Sequence, residues 1–299
     1  MYFGSVRFYK HIILFLIAII VIASTSSAIY LSVKSAYLKE KNTKLEQDLL
    51  LLDKLKRAPY YTNSFGYQKL FPDLSVNCDF SFESDKPKSV YLTFDDGPSE
   101  ITNEILDILF ERHIHATFFV LYKEGEEANA LYRRMIADGH TIALHSTTHN
   151  YEKIYSSMEN FLADVESVSA RVEDATGYKP EIYRFPGGSV NPHNVAIYQQ
   201  ATSELLRRGY VYYDWNVSAD DAVSGTSKRQ IVSNIVNGVH SHNKSIVLLH
   251  DSSSKSDTLS VLPEILDTLI EDGYNFYPLS NRVRPIIFDY EKADFTIKE

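Results

Sequence analysis

Cysteine is almost absent from this chain of 299 residues: Cys78 stands alone. One thiol excludes an intramolecular disulfide framework and any cysteine-based zinc cluster within a single chain, so a metal site has to use histidine and carboxylates. Positive charge is scarce beyond the N-terminal fifth. Residues 1–57 sum to +5 and residues 58–299 to −14, within an overall charge of −9. A surface of that sign offers no field for phosphate backbones, which argues against nucleic acid and for a neutral or cationic substrate. The composition, 44% apolar and 23% charged, excludes wholesale disorder and collagen-like or coiled-coil architecture throughout. The length allows two average domains, or one α/β barrel of about 200–250 residues.

Residues 12–33 contain no charge. A helix rising ~1.5 Å per residue crosses the ~30 Å hydrocarbon core over such a run. Arg7 and Lys10 precede it, so the positive-inside bias places a short N-terminus in the cytoplasm and everything after Val33 outside. Residues 1–33 are therefore expected to form a single-pass membrane anchor. Ser26-Ser27-Ala28 supplies the alternative, a processing site whose use would release a secreted protein. Leu31, Leu38, Leu45 and Leu52 recur every seven residues, and residues 34–57 read as a helical stalk. Ser35, Asn42 and Lys56 make its seam polar, which leaves a weak stalk dimer and a solvated single helix both open. Residues 58–87 form an irregular, aromatic-rich lead-in that begins around Pro59.

From residue 88 the chain alternates short apolar runs with segments of helical period, without tight hairpin turns between the runs. The spacing predicts strands at 90–94, 117–121, 141–144, 182–184, 211–213, 245–249 and 275–277. Helix candidates between them include 103–112, 128–137, 159–173, 194–208, 227–239 and 259–271. Seven βα units point to an α/β barrel lacking one unit, with an open doubly wound sheet as the other architecture compatible with the pattern. A catalytic domain over 88–282 and a C-terminal tail over 283–299 follow.

Five polar constellations sit at predicted strand ends, where an α/β fold carries its chemistry. Thr93-Phe94-Asp95-Asp96-Gly97-Pro98 places two carboxylates in a turn, and His145-Ser146-Thr147-Thr148-His149 can present two imidazoles to one metal. Arg184-Phe185-Pro186-Gly187-Gly188 forces a tight turn with exposed N–H groups. Tyr213-Asp214-Trp215 holds the only tryptophan, and Leu248-Leu249-His250-Asp251 delivers a histidine to the rim. Each is ordinary alone, as turn chemistry, a core tryptophan or a satisfied structural histidine. Five in this order at one end of successive strands are not.

The ordered set resembles the polysaccharide deacetylase family, the NodB-homology domains of carbohydrate esterase family 4. The resemblance implies a distorted barrel of seven or eight βα units. It also implies one divalent metal ion, most often Zn²⁺ with Co²⁺ or a similar ion as the variant, at Asp96, His145 and His149. Asp95 then matches the catalytic base and Arg184 its ion-pair partner, while His250 matches the general acid and Asp214 the carboxylate that charges it. The implied reaction is hydrolysis of an N-acetyl group by water activated at the metal. Gly187 N–H would donate to the oxyanion, and Tyr213, Trp215 and Leu248 would wall the pocket.

Two positions depart from the pattern: Gly187 stands where many relatives have tyrosine, and Val211 where an additional aspartate often opens the fourth motif. The expected substrate is an N-acetylglucosamine-containing glycan, foremost peptidoglycan beside the membrane. Chitin, chitooligosaccharide, exopolysaccharide and acetylxylan remain alternatives, as does a catalytically silent glycan-binding envelope protein.

Overall fold

The computed structural model describes residues 6, 8–16, 19, 25, 30–39, 41–43 and 65–292. Residues 8–16 and 30–39 are helical. The anchor and stalk expected over 12–33 and 34–57 fall partly outside the described residues, and among those described no helix is long and apolar enough to cross a membrane.

The remainder is built on parallel strands: β1 (Ser89–Asp95), β2 (Thr117–Leu121), β3 (Thr141–Ser146), β4 (Ile182–Tyr183), β5 (Val211–Tyr212), β6 (Val217–Ser218), β7 (Lys244–His250) and β8 (Asn275–Phe276). Their order is β5-β4-β3-β2-β1-β7-β6. All seven residues of β1 pair with β7 on one edge, while β8 takes Ser89 and Val90 and β2 takes Thr93 to Asp95 on the other. The helices are α1 (Thr102–Glu111), α2 (Glu126–Ala137), α3 (Tyr151–Ile154), α4 (Met158–Thr176), α5 (Tyr198–Arg207), α6 (Lys228–His240) and α7 (Ser256–Glu271).

Two features correct the expected barrel. Hydrogen bonding does not close the ring, because β5 and β6 are the two edges of the sheet. No helix separates them either, and residues 213–216 cross directly from one edge to the other. The architecture is a parallel half-barrel. Asn216 anchors the crossing: its Oδ1 accepts from Ile246 N at 2.7 Å and its Nδ2 donates to Lys244 O at 2.9 Å.

The period-two alternation of the strands separates two cores. Val90, Leu92, Phe94, Phe118, Val120, Ile142 and Leu144 face the helices and pack among residues such as Ile105, Leu109, Tyr132, Met135 and Phe161. Tyr91, Phe119, Ala143, Ile182, Val211, Tyr213 and Ile246 form the second cluster on the other face. Helix starts are set locally. Ser227 and Gln230 form a reciprocal capping box at α6, and Ser157 Oγ accepts from Asn160 N at α4.

The segment before β1 is tied to the C-terminal end of α5. Arg208 donates to Leu70 O, Phe71 O and Leu74 O at 2.8, 2.6 and 3.0 Å, and Val76 N donates to Arg208 O at 2.8 Å. Gly209 is required at this junction: its φ is +88°, and a Cβ there would stand 2.0 Å from Val76 O. Gly209→Ala is therefore expected to lower unfolding free energy by more than about 1 kcal/mol, read as a shift of the urea midpoint at unchanged slope. An unshifted midpoint would show that this contact is dispensable.

Candidate active site

On β1, β3 and β7, and just past β4, the inward stripe continues into a polar residue at the C-terminal rim. Tyr91 and Thr93 lead to Asp95, Ala143 to His145, Ile182 to Arg184, and Ile246 and Leu248 to His250. Register brings these ends together, with Asp95 paired to His250 across β1 and β7.

Arg184 is fully buried. Its Nη1 donates to Asp95 Oδ1 at 2.8 Å and to Thr93 Oγ1 at 2.6 Å, its Nε to Tyr213 O at 3.1 Å, and its Nη2 to Asp214 O at 3.3 Å. The guanidinium lies 4.0 Å from the centre of the Phe119 ring. A charge taken from water needs such a complete set of partners. It fixes one oxygen of Asp95 and leaves Oδ2 on the side of His145, 3.9 Å from Nε2.

Asp96, His145 and His149 converge beside this pair. Their ligand atoms all lie within 4.8 Å of one another, with Asp96 Oδ1 3.6 Å from His145 Nε2 and 3.3 Å from His149 Nε2. Asp96 and His149 both adopt left-handed backbone, φ +73° and +50°, a conformation that costs energy and recurs where side chains are aimed for function. The loop between the histidines is held by Asp164 of α4. That buried carboxylate accepts from Ser146 Oγ, Thr147 N, Thr148 N and Thr148 Oγ1, and Ser146 Oγ in turn accepts from His149 N.

Three observations fit this group to a divalent cation. Asp96 Oδ1 is buried without a hydrogen-bond partner. His145 Nδ1 lies 2.8 Å from Arg184 O, which assigns the proton to Nδ1 and leaves Nε2 as a lone-pair donor toward Asp96. Burial, followed by the neighbouring His145, holds His149 below its ordinary pKa and so in the neutral form that can ligate. Elemental analysis of His149→Ala against wild type should show loss of most of the bound metal; full occupancy in the variant would remove His149 from the ligand set.

The expected pairing of His250 with Asp214 does not form. His250 Nδ1 instead lies 2.7 Å from Asp221 Oδ1, and His250 N donates to Asp221 Oδ2 at 3.0 Å. The strand order supplies the reason. Asp214 follows β5 at one edge of the sheet, whereas Asp221 follows β6, which pairs with the strand carrying His250. Asp214 is engaged elsewhere: it accepts from Ser189 N, Ser189 Oγ and Phe288 N, at 2.8, 2.5 and 2.7 Å. Burial raises its pKa despite these bonds.

Asp221 went unassigned in the sequence because β6 is only two residues long. The available signal was the Asp220-Asp221 pair just beyond Val217-Ser218. Burial works against the imidazolium of His250, but the hydrogen bond and charge of Asp221, with Asp95 and Asp96 farther off, outweigh it and raise the pKa. Burial likewise opposes ionisation of Asp221, and its bonds to His250 prevail to lower its pKa.

The pocket walls also differ in part from expectation. Tyr213 belongs to the inward-facing core, where its hydroxyl donates to Ser280 O and Val283 O, so it does not line a substrate pocket. Leu248 is buried two residues below His250. Trp215 is partly exposed, 5.6 Å from the Arg184 guanidinium and edge-on to Phe288 at 4.7 Å. Gly187 lies in the turn after β4, beside Tyr151 of α3.

The profile of the polysaccharide deacetylase family matches residues 83–206. A peptidoglycan-N-acetylglucosamine deacetylase of Bacillus cereus is 31% identical over 205 residues, which cover 66% of this chain and 89% of that relative. This chain belongs to the polysaccharide deacetylase family. Among solved structures, the catalytic domain of a peptidoglycan N-acetylglucosamine deacetylase from Eubacterium rectale superposes with a TM-score of 0.67 at 35% identity. The match covers 70% of this chain and 96% of that domain. A CE4 esterase of Streptococcus mutans gives 0.59 at 28% identity over 66% of this chain and 87% of its own. The half-barrel is thus that of a carbohydrate-deacetylating hydrolase family, and the Asp221–His250 pair lies on the same rim of this chain as the Asp96, His145 and His149 cluster.

Proposed function

We propose that this deacetylase-family chain hydrolyses N-acetyl groups of an N-acetylglucosamine-containing polysaccharide, foremost peptidoglycan. The observation that carries the reading is the convergence of three groups on one rim: the Asp96, His145 and His149 cluster, Asp95 fixed by Arg184, and His250 fixed by Asp221. Relatives described as peptidoglycan deacetylases support the choice of glycan.

A divalent ion at the cluster, with Zn²⁺ best matched to two imidazoles and a carboxylate, would polarise the acetyl carbonyl and make water more acidic. Asp95 takes the proton of the attacking water at Oδ2, since Oδ1 is held by Arg184. Gly187 N–H donates to the carbonyl oxygen as charge builds there. His250, with Nδ1 turned to Asp221, delivers a proton from Nε2 to the departing amine. The products are acetate and a free amino sugar.

The uncharged run 12–33 behind Arg7 and Lys10 supports a catalytic unit tethered outside a membrane. Protease added to intact cells should then degrade the catalytic unit; full protection would place it inside.

The activity is tested by incubating the metal-loaded full chain with purified peptidoglycan and with chitooligosaccharides and measuring acetate. Acetate from peptidoglycan is expected. Release from chitooligosaccharides alone would reassign the substrate, and none from either, with metal confirmed in the protein, would favour a glycan-binding role.

A further inference from the structure

The turn from Phe185 to Ser189 is fastened from behind. Pro186 O accepts from Tyr155 Oη and Asn191 Nδ2 at 2.8 and 3.2 Å, Gly188 O from Asn191 Nδ2 and Asn194 Nδ2 at 3.0 and 3.1 Å, and Ser189 O from Asn194 Nδ2 at 3.1 Å. Gly188 N and Ser189 N are also used, on Phe185 O and Asp214 Oδ1. Among the described residues, Gly187 N–H has no partner. Its α-carbon is bare at φ +77°, and a Cβ there would be tightly placed, 3.2 Å from Asn191 Nδ2, 3.3 Å from Tyr151 Oη and 3.4 Å from Tyr151 Cζ.

Tyr151 reaches this point from the first residue of α3, two positions after His149. Its ring centre lies 5.4 Å from that of His149, 4.8 Å from that of His193 and 6.3 Å from that of Tyr155, so the ring is held on several sides. Tyr151 is partly exposed, and among the described residues its hydroxyl has no hydrogen-bond partner either. A packed phenol and a fixed backbone N–H, both unspent, therefore lie side by side next to His149, at the rim where the acetyl group would react.

We propose that Tyr151 Oη is a catalytic residue, a second hydrogen-bond donor that acts with Gly187 N–H on the acetyl oxygen. The proposal rests on the deacetylase reading. As water adds to the carbonyl carbon, the π electrons of C=O move onto the oxygen, which accepts both hydrogen bonds. They return to re-form C=O as the C–N bond breaks and its electron pair leaves with the amine, protonated from His250. Tyr151 keeps its own proton throughout, so its contribution is preorganised charge stabilisation, greatest where the oxygen is most negative.

The test compares wild type, Tyr151→Phe and Tyr151→Ala as metal-loaded full chains with metal content measured on each. Removal of one such donor costs about 10²-fold in kcat, so Tyr151→Phe should lose about that factor with metal content unchanged and KM within about twofold. A second readout needs no turnover: affinity for a methylphosphonamidate of glucosamine, a tetrahedral oxyanion mimic, should fall by a similar factor in Tyr151→Phe. If Tyr151→Phe retains both wild-type kcat and wild-type affinity for the mimic, the proposal is overturned. The same holds if only Tyr151→Ala is impaired, through KM, because the ring would then be a sugar platform. Wild type releasing no acetate would instead overturn the functional reading and this proposal with it.

Discussion

Asp95→Asn is expected to retain its divalent ion and to lose about 10²- to 10⁴-fold in kcat, the usual worth of a positioned general base. The amide keeps an oxygen in the place of Oδ1, where Arg184 Nη1 donates at 2.8 Å, so the buried guanidinium retains that hydrogen bond. At the Oδ2 position the amide nitrogen cannot accept a proton from water. Losing the carboxylate charge beside a fully buried arginine also costs stability, because the partner charge remains in the interior. A melting curve recorded with the kinetics separates the two effects. Turnover within about threefold of wild type at full metal occupancy would remove Asp95 from the role of base.

Asp221→Asn should move the basic limb of the kcat/KM profile to lower pH and slow expulsion of the amine. The sign follows from the two opposing influences on His250. Burial disfavours the imidazolium, and the Asp221 hydrogen bond and charge overcome that, so the folded-state pKa is raised. A raised pKa keeps the general acid protonated to higher pH, and the basic limb marks the loss of that proton. With the Asp221 charge gone, burial prevails and the limb shifts acidward. Asp214→Asn is the control: its carboxylate contacts Ser189 and Phe288 rather than His250, so this variant should leave the limb in place even if it loosens the turn that carries Gly187. A limb unmoved in Asp221→Asn, or moved only in Asp214→Asn, would reverse the assignment.

The contrast between these two aspartates shows where the sequence carried structural information and where it stopped. Strands β1, β3 and β7 are five or more residues long, and their alternation alone places Asp95, His145 and His250 on the inward face at the rim. Six of the helices were legible for a similar reason, since apolar positions recur at helical spacing over ten or more residues. The crossing from β5 to β6 offers no such pattern. Both strands have two residues, and their place at opposite edges is set by pairing with distant partners, β4 and β7. Asp214 and Asp221 are seven residues apart, yet only tertiary pairing shows that the second faces His250. Tyr213 was misread for a related reason: it shares the inward face of Val211, but its length carries the hydroxyl away from the rim to Ser280 and Val283. Asp164 and Tyr151 lie on helices without a motif to mark them, and their roles come from packing alone.

The central claim is that one ion at Asp96, His145 and His149 works with Asp95 to release acetate. The most direct measurement is a titration of the metal-free full chain with Zn²⁺, following bound metal and acetate release from peptidoglycan together. Acetate release should rise in proportion to occupancy and level off at one ion per chain, while Asp95→Asn binds the same one ion and stays near the baseline. Release that is undiminished without metal, or that continues to rise to a second equivalent, would contradict the account.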